Sequence, residues 1–295
     1  MNNTVFTGSG VAIVTPMNED FSINYAKLGE LIDWQIENAT DSIVICGTTG
    51  ESSAMTDEEH VECIRYTVER VAGRVPVVAG AGSNDTEYAI WLSKESKAVG
   101  ADALLHVTPY YNKTSQRGLV AHFNAIANAT DLPVILYNVP SRTGLSITPD
   151  TYLELSKHPN IVATKEASGD ISAIAKTIHL CGDNLDVYSG NDDQIIPLMS
   201  LGGKGVISVL ANICPRETHD IAALWLEGKT AEATKLQLDY IPLISAIFCD
   251  VNPIPVKDAM NIMGMNVGPV RMPLVGLSDS NMEYLRRELA AYKLL

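Results

Sequence analysis

The chain has 295 residues, 46% of them hydrophobic and 19% charged, with a formal net charge of −14. That balance provides for a large buried core and excludes a disordered chain, and the negative surface argues against nucleic acid and anionic membrane as partners. Five cysteines, an odd number with no Cys-x-x-Cys pair, read as reduced core thiols and suggest neither a zinc ribbon nor a redox motif. The first seven residues carry no basic region, and no stretch approaches the roughly 18 apolar residues of a membrane span, so a cytoplasmic location is expected.

Taken in chain order, short runs rich in Val and Ile predict strands near 10–15, 42–46, 75–80, 103–108, 133–138, 161–165, 186–189 and 205–209. Within each run most successive residues are apolar. That suits parallel strands covered on both faces, whereas one wet face would make them alternate. Helical patterns lie between the runs. Thr56 with Glu59 three residues on forms a capping box opening a segment that stops at Gly73. Another segment runs from Asp85 to Gly100. Pro149 after Thr148, and Pro215 before a segment ending at Gly228, sit where proline opens a helix. Eight strand–helix units most simply close into a (β/α)8 TIM barrel, an α/β fold, here assigned to residues 1–229. Residues 230–295 show no further strand and are expected to form a C-terminal extension of two or three helices packed on the barrel. A doubly wound open sheet is the alternative, because local pattern does not show closure.

In a barrel the chemistry sits at the C-terminal ends of the strands. Lys165 ends an apolar run, where lost hydration lowers an amine's pKa and makes it a nucleophile toward carbonyls. On its own it is equally a strand-end lysine with its head in solvent; its neighbours decide. Tyr137 offers a phenolic proton donor at the end of the preceding strand. Thr48 and Thr49 lie in the Gly-flanked turn after strand two, and Arg142 presents a planar fork suited to a carboxylate. The six histidines show no metal-ligand spacing, which disfavours a zinc-dependent aldolase, and Gly80-Ala81-Gly82 lacks the third glycine of a dinucleotide site.

The ordered motifs GTTGES (47–52), TPYYN (108–112), YNVPSRTG (137–144), KEASGD (165–170), GVISV (205–209) and NPIPVK (252–257) resemble the dihydrodipicolinate synthase family of pyruvate-dependent lyases and aldolases, over the whole chain. The resemblance implies condensation of pyruvate with L-aspartate 4-semialdehyde through a lysine Schiff base, on the diaminopimelate route to lysine. It implies no metal or organic cofactor, and a homotetramer built as a dimer of dimers. It assigns Lys165 as the Schiff-base lysine and Tyr137, Thr48 and Tyr111 as a proton relay, Tyr111 reaching in from a neighbouring subunit. Thr49 would bind the pyruvate carboxylate and Arg142 that of the semialdehyde, with the backbones of Gly190 and Ile207 lining the pocket. N-acetylneuraminate lyases share the lysine and tyrosine, but usually have serine at the Thr48 position and no arginine at the Arg142 position. A keto-acid sensor is disfavoured by the complete relay. A lysine-binding regulatory site would involve Ser52, Ser53, Asp57, His60, Asn84, Tyr88 and Tyr110. Tyr88 and Asp57 depart from the glutamate and histidine of many lysine-sensitive members, and weak or absent inhibition is expected.

Overall fold

A computed structural model of the chain describes residues 4–295. Its eight strands are β1 (Gly8–Ala12), β2 (Ser42–Ile45), β3 (Val77–Gly80), β4 (Ala103–Val107), β5 (Val134–Asn138), β6 (Ile161–Glu166), β7 (Asp186–Ser189) and β8 (Gly205–Ser208). Each pairs in parallel with the next, and β8 returns to β1 with Gly10 opposite Ile207, so the sheet is a closed barrel. The helices between strands cover its outside, and the expectation of a (β/α)8 barrel holds.

Two apolar layers follow from this closure. Inside the barrel, Val44, Val78, Ile135, Tyr188 and Ile207 pack with Phe6, whose ring stacks on Tyr188 at 4.4 Å between centroids. The Tyr188 hydroxyl donates to the Phe6 carbonyl at 2.6 Å, so this buried phenol is satisfied. Between strands and helices lies the larger cluster, including Ile43, Ile45, Leu104, Leu136 and Phe123. Strand β1 begins earlier than its apolar run because Gly10 makes room for Phe6: a Cβ there would lie 2.8 Å from the ring. The closure is also tied beyond the ladder. The Asn212 amide donates to Ala12 O and accepts from Val14 N, joining the exit of β8 to β1.

The helix starts follow the sequence. Thr56 and Glu59 form the reciprocal capping box of Asp57–Val71, and Thr148 caps Pro149–Leu155. Beyond the barrel there are four helical segments, not two or three: Thr230–Asp239, Ile241–Ile247, Ile254–Ile262 and Asp279–Ala291. Pro242, within the first turn of Ile241–Ile247, has no N–H to continue the preceding helix, and so divides a stretch that reads as continuous. Among the described residues no helix is long and apolar enough to cross a membrane.

The β5–β6 ladder contains an irregularity that matters for the site. Val134 pairs with Ile161, but Ile135 pairs with Ala163, so β6 carries one extra residue, Val162, at this step. From there Tyr137 lies opposite Lys165 and Asn138 opposite Glu166, while Lys165 lies opposite Tyr188 on the other side. An unbroken register would set Tyr137 against Thr164. Bulges of this kind re-aim side chains at barrel rims.

A buried histidine in β4 makes stability depend on acid. His106 is fully buried, and burial first, then the nearby His122, holds its pKa down to about 3. Ser93 donates its hydroxyl proton to Ala89 O, so His106 Nε2 donates to Ser93 Oγ at 3.2 Å and Nδ1 has no partner. The ring is therefore neutral when folded. Its unfolded value is 6.5. Below that pH the unfolded chain takes up a proton that the fold refuses, so stability falls as pH drops from 6.5 toward 3. At pH 5 this one group costs about 2 kcal/mol. Urea midpoints at pH 7 and pH 5 should separate less in His106→Gln than in the parent; an equal separation would remove His106 from the effect.

Candidate active site

The β-bulge brings amine and phenol together. Lys165 is 5% exposed, and its Nζ lies 4.5 Å from the centroid of the Tyr137 ring. Burial lowers the Lys165 pKa to about 8, with Asp192 pulling it up and Arg142 pushing it further down. At pH 7 about one molecule in ten then carries a neutral amine, against roughly one in 3,000 for an unperturbed lysine. Space for the lysine stem comes from Gly190: a Cβ there would lie 3.1 Å from Lys165 Cε and 2.8 Å from Ala167 Cβ.

Tyr137 is buried, with the Thr48 side chain close to its hydroxyl. Burial raises its pKa, while the Arg142 charge and Thr48 act in the opposite direction. The phenol is thus protonated at neutral pH. Thr48 belongs to the turn after β2, which closes with Gly50 N on Gly47 O and Glu51 N on Thr48 O, both at 3.1 Å. Thr49, next in that turn, is 2% exposed and accepts from the Asn252 amide at 3.0 Å. Arg142 sits on the short helix Pro140–Thr143 and donates to the Asn252 carbonyl at 2.9 Å. Asn252 therefore holds Thr49 with its side chain and Arg142 with its backbone, and its own Oδ1 is buried without a partner. Ile207 is wholly buried in β8.

Tyr111 is placed differently. Its ring is 92% exposed and its backbone is left-handed, with φ +65°. The turn that presents it is held by Asn84 Nδ2 on Tyr110 O and Asn112 Nδ2 on Asn84 O, at 3.2 and 2.8 Å. An aromatic side chain is thus held out from the barrel on a braced loop.

The residues considered for regulation meet in part. Ser52, Ser53, His60, Tyr88 and Tyr110 line one cavity of about 420 Å³, which Thr48 and Arg142 also border. Asn84 does not line it but holds the Tyr110 backbone. Tyr88 donates its hydroxyl to Asp57 at 2.7 Å, and His60 Nε2 meets Gly80 O at the same distance.

Three features escape a reading of strand ends. Asp192, after β7, is a buried carboxylate that acts electrostatically on Lys165, and in sequence it is one acidic residue among several. Asn252 is visible beforehand only as the first residue of a family motif. Glu51 and Lys257 form an ion pair at 2.8 Å with both side chains 1% exposed. Among the described residues no cluster of His, Cys, Asp or Glu suits a metal ion.

A barrel with a desolvated lysine at the end of β6, a phenol against it and a threonine hydroxyl beside the phenol has the equipment of a Schiff-base lyase. The family model described as "Dihydrodipicolinate synthetase family" matches residues 5–292, and the chain belongs to that family. Among curated relatives it is 60% identical over 286 residues to the 4-hydroxy-tetrahydrodipicolinate synthase of Lachnoclostridium phytofermentans, covering 97% of each chain. It is 58% identical over 292 residues to that of Thermoanaerobacter pseudethanolicus, covering 99% of this chain and 98% of the relative. Among solved structures it is similar to the chloride-inhibited dihydrodipicolinate synthase of Acinetobacter baumannii complexed with pyruvate. That match has a TM-score of 0.96 at 43% identity, over 99% of this chain and 100% of the other. The enzyme of Cyanidioschyzon merolae with lysine bound matches with a TM-score of 0.96 at 40% identity, over the same shares.

Proposed function

We propose that this chain condenses pyruvate with L-aspartate 4-semialdehyde to give 4-hydroxy-tetrahydrodipicolinate, in the diaminopimelate route to lysine. The observation that carries the reading is the Lys165 amine, buried, with its pKa lowered to about 8 and set against Tyr137, on a chain of this family.

The neutral Lys165 amine attacks the ketone carbon of pyruvate and forms a carbinolamine. Its hydroxyl takes a proton and leaves as water, and a protonated imine remains. That cation is the electron sink: loss of a methyl proton gives the enamine, whose carbon attacks the aldehyde, and the aldehyde oxygen becomes the 4-hydroxyl on protonation. The amine of the semialdehyde then adds to the imine carbon and expels Lys165, closing the ring. Tyr137, protonated at rest, supplies and recovers protons. Thr48 passes them to Tyr111 of a neighbouring subunit in a homotetramer, a role that suits an exposed ring on a braced turn. Thr49 takes the pyruvate carboxylate and Arg142 that of the semialdehyde, with Gly190 and Ile207 as the pocket wall. The work is done in the cytoplasm.

The test is pyruvate consumption with aspartate semialdehyde, with N-acetylmannosamine in parallel, both in the presence of a chelator. Consumption with the semialdehyde alone supports the proposal; consumption with the sugar alone overturns the acceptor. Tyr111→Phe should slow imine formation about 100-fold, the scale of a lost proton-transfer partner, while the oligomer seen by sedimentation persists. Unchanged turnover would remove Tyr111 from the relay. Lysine should inhibit weakly, because Tyr88 spends its hydroxyl on Asp57 and brings no charge for an ammonium group. Half-inhibition below about 1 mM, a binding free energy near −4 kcal/mol, would contradict this.

A further inference from the structure

Asp192 lies just past β7, in the single turn Asp192–Gln194, and is 2% exposed. Its Oδ2 accepts from Val209 N at 3.1 Å and Leu210 N at 2.9 Å, where the chain leaves β8, and the Ser208 hydroxyl close by also favours the charged carboxylate. Its backbone is held from the C-terminal extension by Gln237 Nε2 on Asp192 O, at 2.9 Å. The other oxygen, Oδ1, is buried with no hydrogen-bond partner. Leaving an acceptor bare in the interior is costly. A cation in the same enclosure offsets that cost, and one is there: Asp192 and Lys165 act on each other electrostatically, and Gly190, two residues before Asp192, lies against the Lys165 stem.

The other charged and titratable groups around the amine do not supply an anion. Arg142 repels it, and Tyr137 presents its ring. Tyr188, opposite on β7, spends its hydroxyl on Phe6, and Glu166, next along β6, is taken up by Asn138, Tyr152 and Ser168. Asp193 is exposed.

We propose that Asp192 is the fixed counter-ion of the cation on Lys165, ammonium before condensation and protonated imine after it, and so a positioning residue for the imine. A carboxylate locked by two backbone N–H donors needs no reorganisation when the charge appears. The neutral lysine can shed its proton, but the imine must stay charged to draw electrons from the pyruvate methyl group. The proposal rests on the imine chemistry assigned above to Lys165.

Asp192→Asn removes the charge and little else, since the amide oxygen can take the two backbone N–H groups and the NH2 fills the place of the bare oxygen. Borohydride trapping of the pyruvate adduct at Lys165 is followed by mass spectrometry against pyruvate concentration and pH. In the variant the half-trapping concentration should rise at least about tenfold, and the pH midpoint should fall by about one unit, because the group that raises the lysine pKa is gone. A purely structural anchor would lower the melting temperature and leave the pH midpoint in place, and that result overturns the proposal. Should the variant not fold, Ser208→Ala loosens the carboxylate without removing it. A two- to fivefold rise in half-trapping concentration is then expected, and no change overturns the proposal. If the unsubstituted protein gives no adduct at Lys165, it is the reading of Lys165 that fails.

Discussion

Lys165→Met gives a folded protein that yields no borohydride-trapped pyruvate adduct and turns over on the order of 1,000-fold or more slowly, the scale on which removal of a covalent nucleophile is felt. It should also be more stable than the parent at pH 7. A folded-state pKa of about 8 against an ordinary 10.5 means that the fold disfavours the ammonium. At pH 7 the lysine is charged in both states and the full penalty, about 3 kcal/mol, is present. Between pH 8 and 10.5 the unfolded chain holds a proton that the fold has released, so the penalty fades as pH rises. The gain in Lys165→Met should therefore shrink above pH 8, less whatever the methionine loses in packing. Urea unfolding at pH 7 and pH 9.5 checks both parts. A variant that still forms an adduct would move the chemistry to another amine, and a stability difference that stays the same between pH 7 and pH 9.5 would remove the ammonium penalty.

Lys257→Met is expected to destabilise the protein by about 3–5 kcal/mol, as removal of one partner from a buried ion pair does. Lys257 donates to Glu51 at 2.8 Å, Thr15 O at 3.0 Å and Pro269 O at 2.6 Å, and the second oxygen of Glu51 accepts from Arg271 N at 2.8 Å. Burial pushes the Lys257 pKa down, and Glu51 works against that. Taking the lysine away leaves an uncompensated carboxylate in the turn that carries Thr48 and Thr49, so turnover should fall along with stability. The double variant Glu51→Gln/Lys257→Met should recover much of the lost stability, because the stranded charge is gone. A single variant within about 1 kcal/mol of the parent would show the pair to be inconsequential, as surface pairs are.

The barrel was legible because its signals are local. Each apolar run is a strand, each capping residue opens a helix, and eight repeats leave few ways to close. The strand ends then indicated Lys165, Tyr137, Thr48, Thr49 and Arg142. What was not legible depends on pairing across the fold. Glu51 and Lys257 are 206 residues apart, and Asn252 reaches Thr49 over 203. Asp192 differs from Asp193 only in being turned inward, which no composition or period records. The C-terminal segment holds one helix more than the two or three expected, because Pro242 opens a new helix directly after Tyr240. The first strand, expected near 10–15, runs over Gly8–Ala12, because its start depends on the room Gly10 leaves for the Phe6 ring and not on its apolar run.

The extra residue in β6 makes the site a matter of phase between two strands. With Val162 in place, Lys165 and Tyr137 share one rung of the barrel interior, and Glu166 turns outward to Asn138, Tyr152 and Ser168. Pairing β6 with β5 in unbroken register, with no bulge at Val162, would exchange these faces: the carboxylate would enter the barrel and the amine would go among the helices. A lysine grafted onto the matching end of an unbulged barrel would thus be half a repeat out of step with its tyrosine. The unit to transplant is therefore the pair of strands with their mismatch in length, and neither side chain carries the activity by itself.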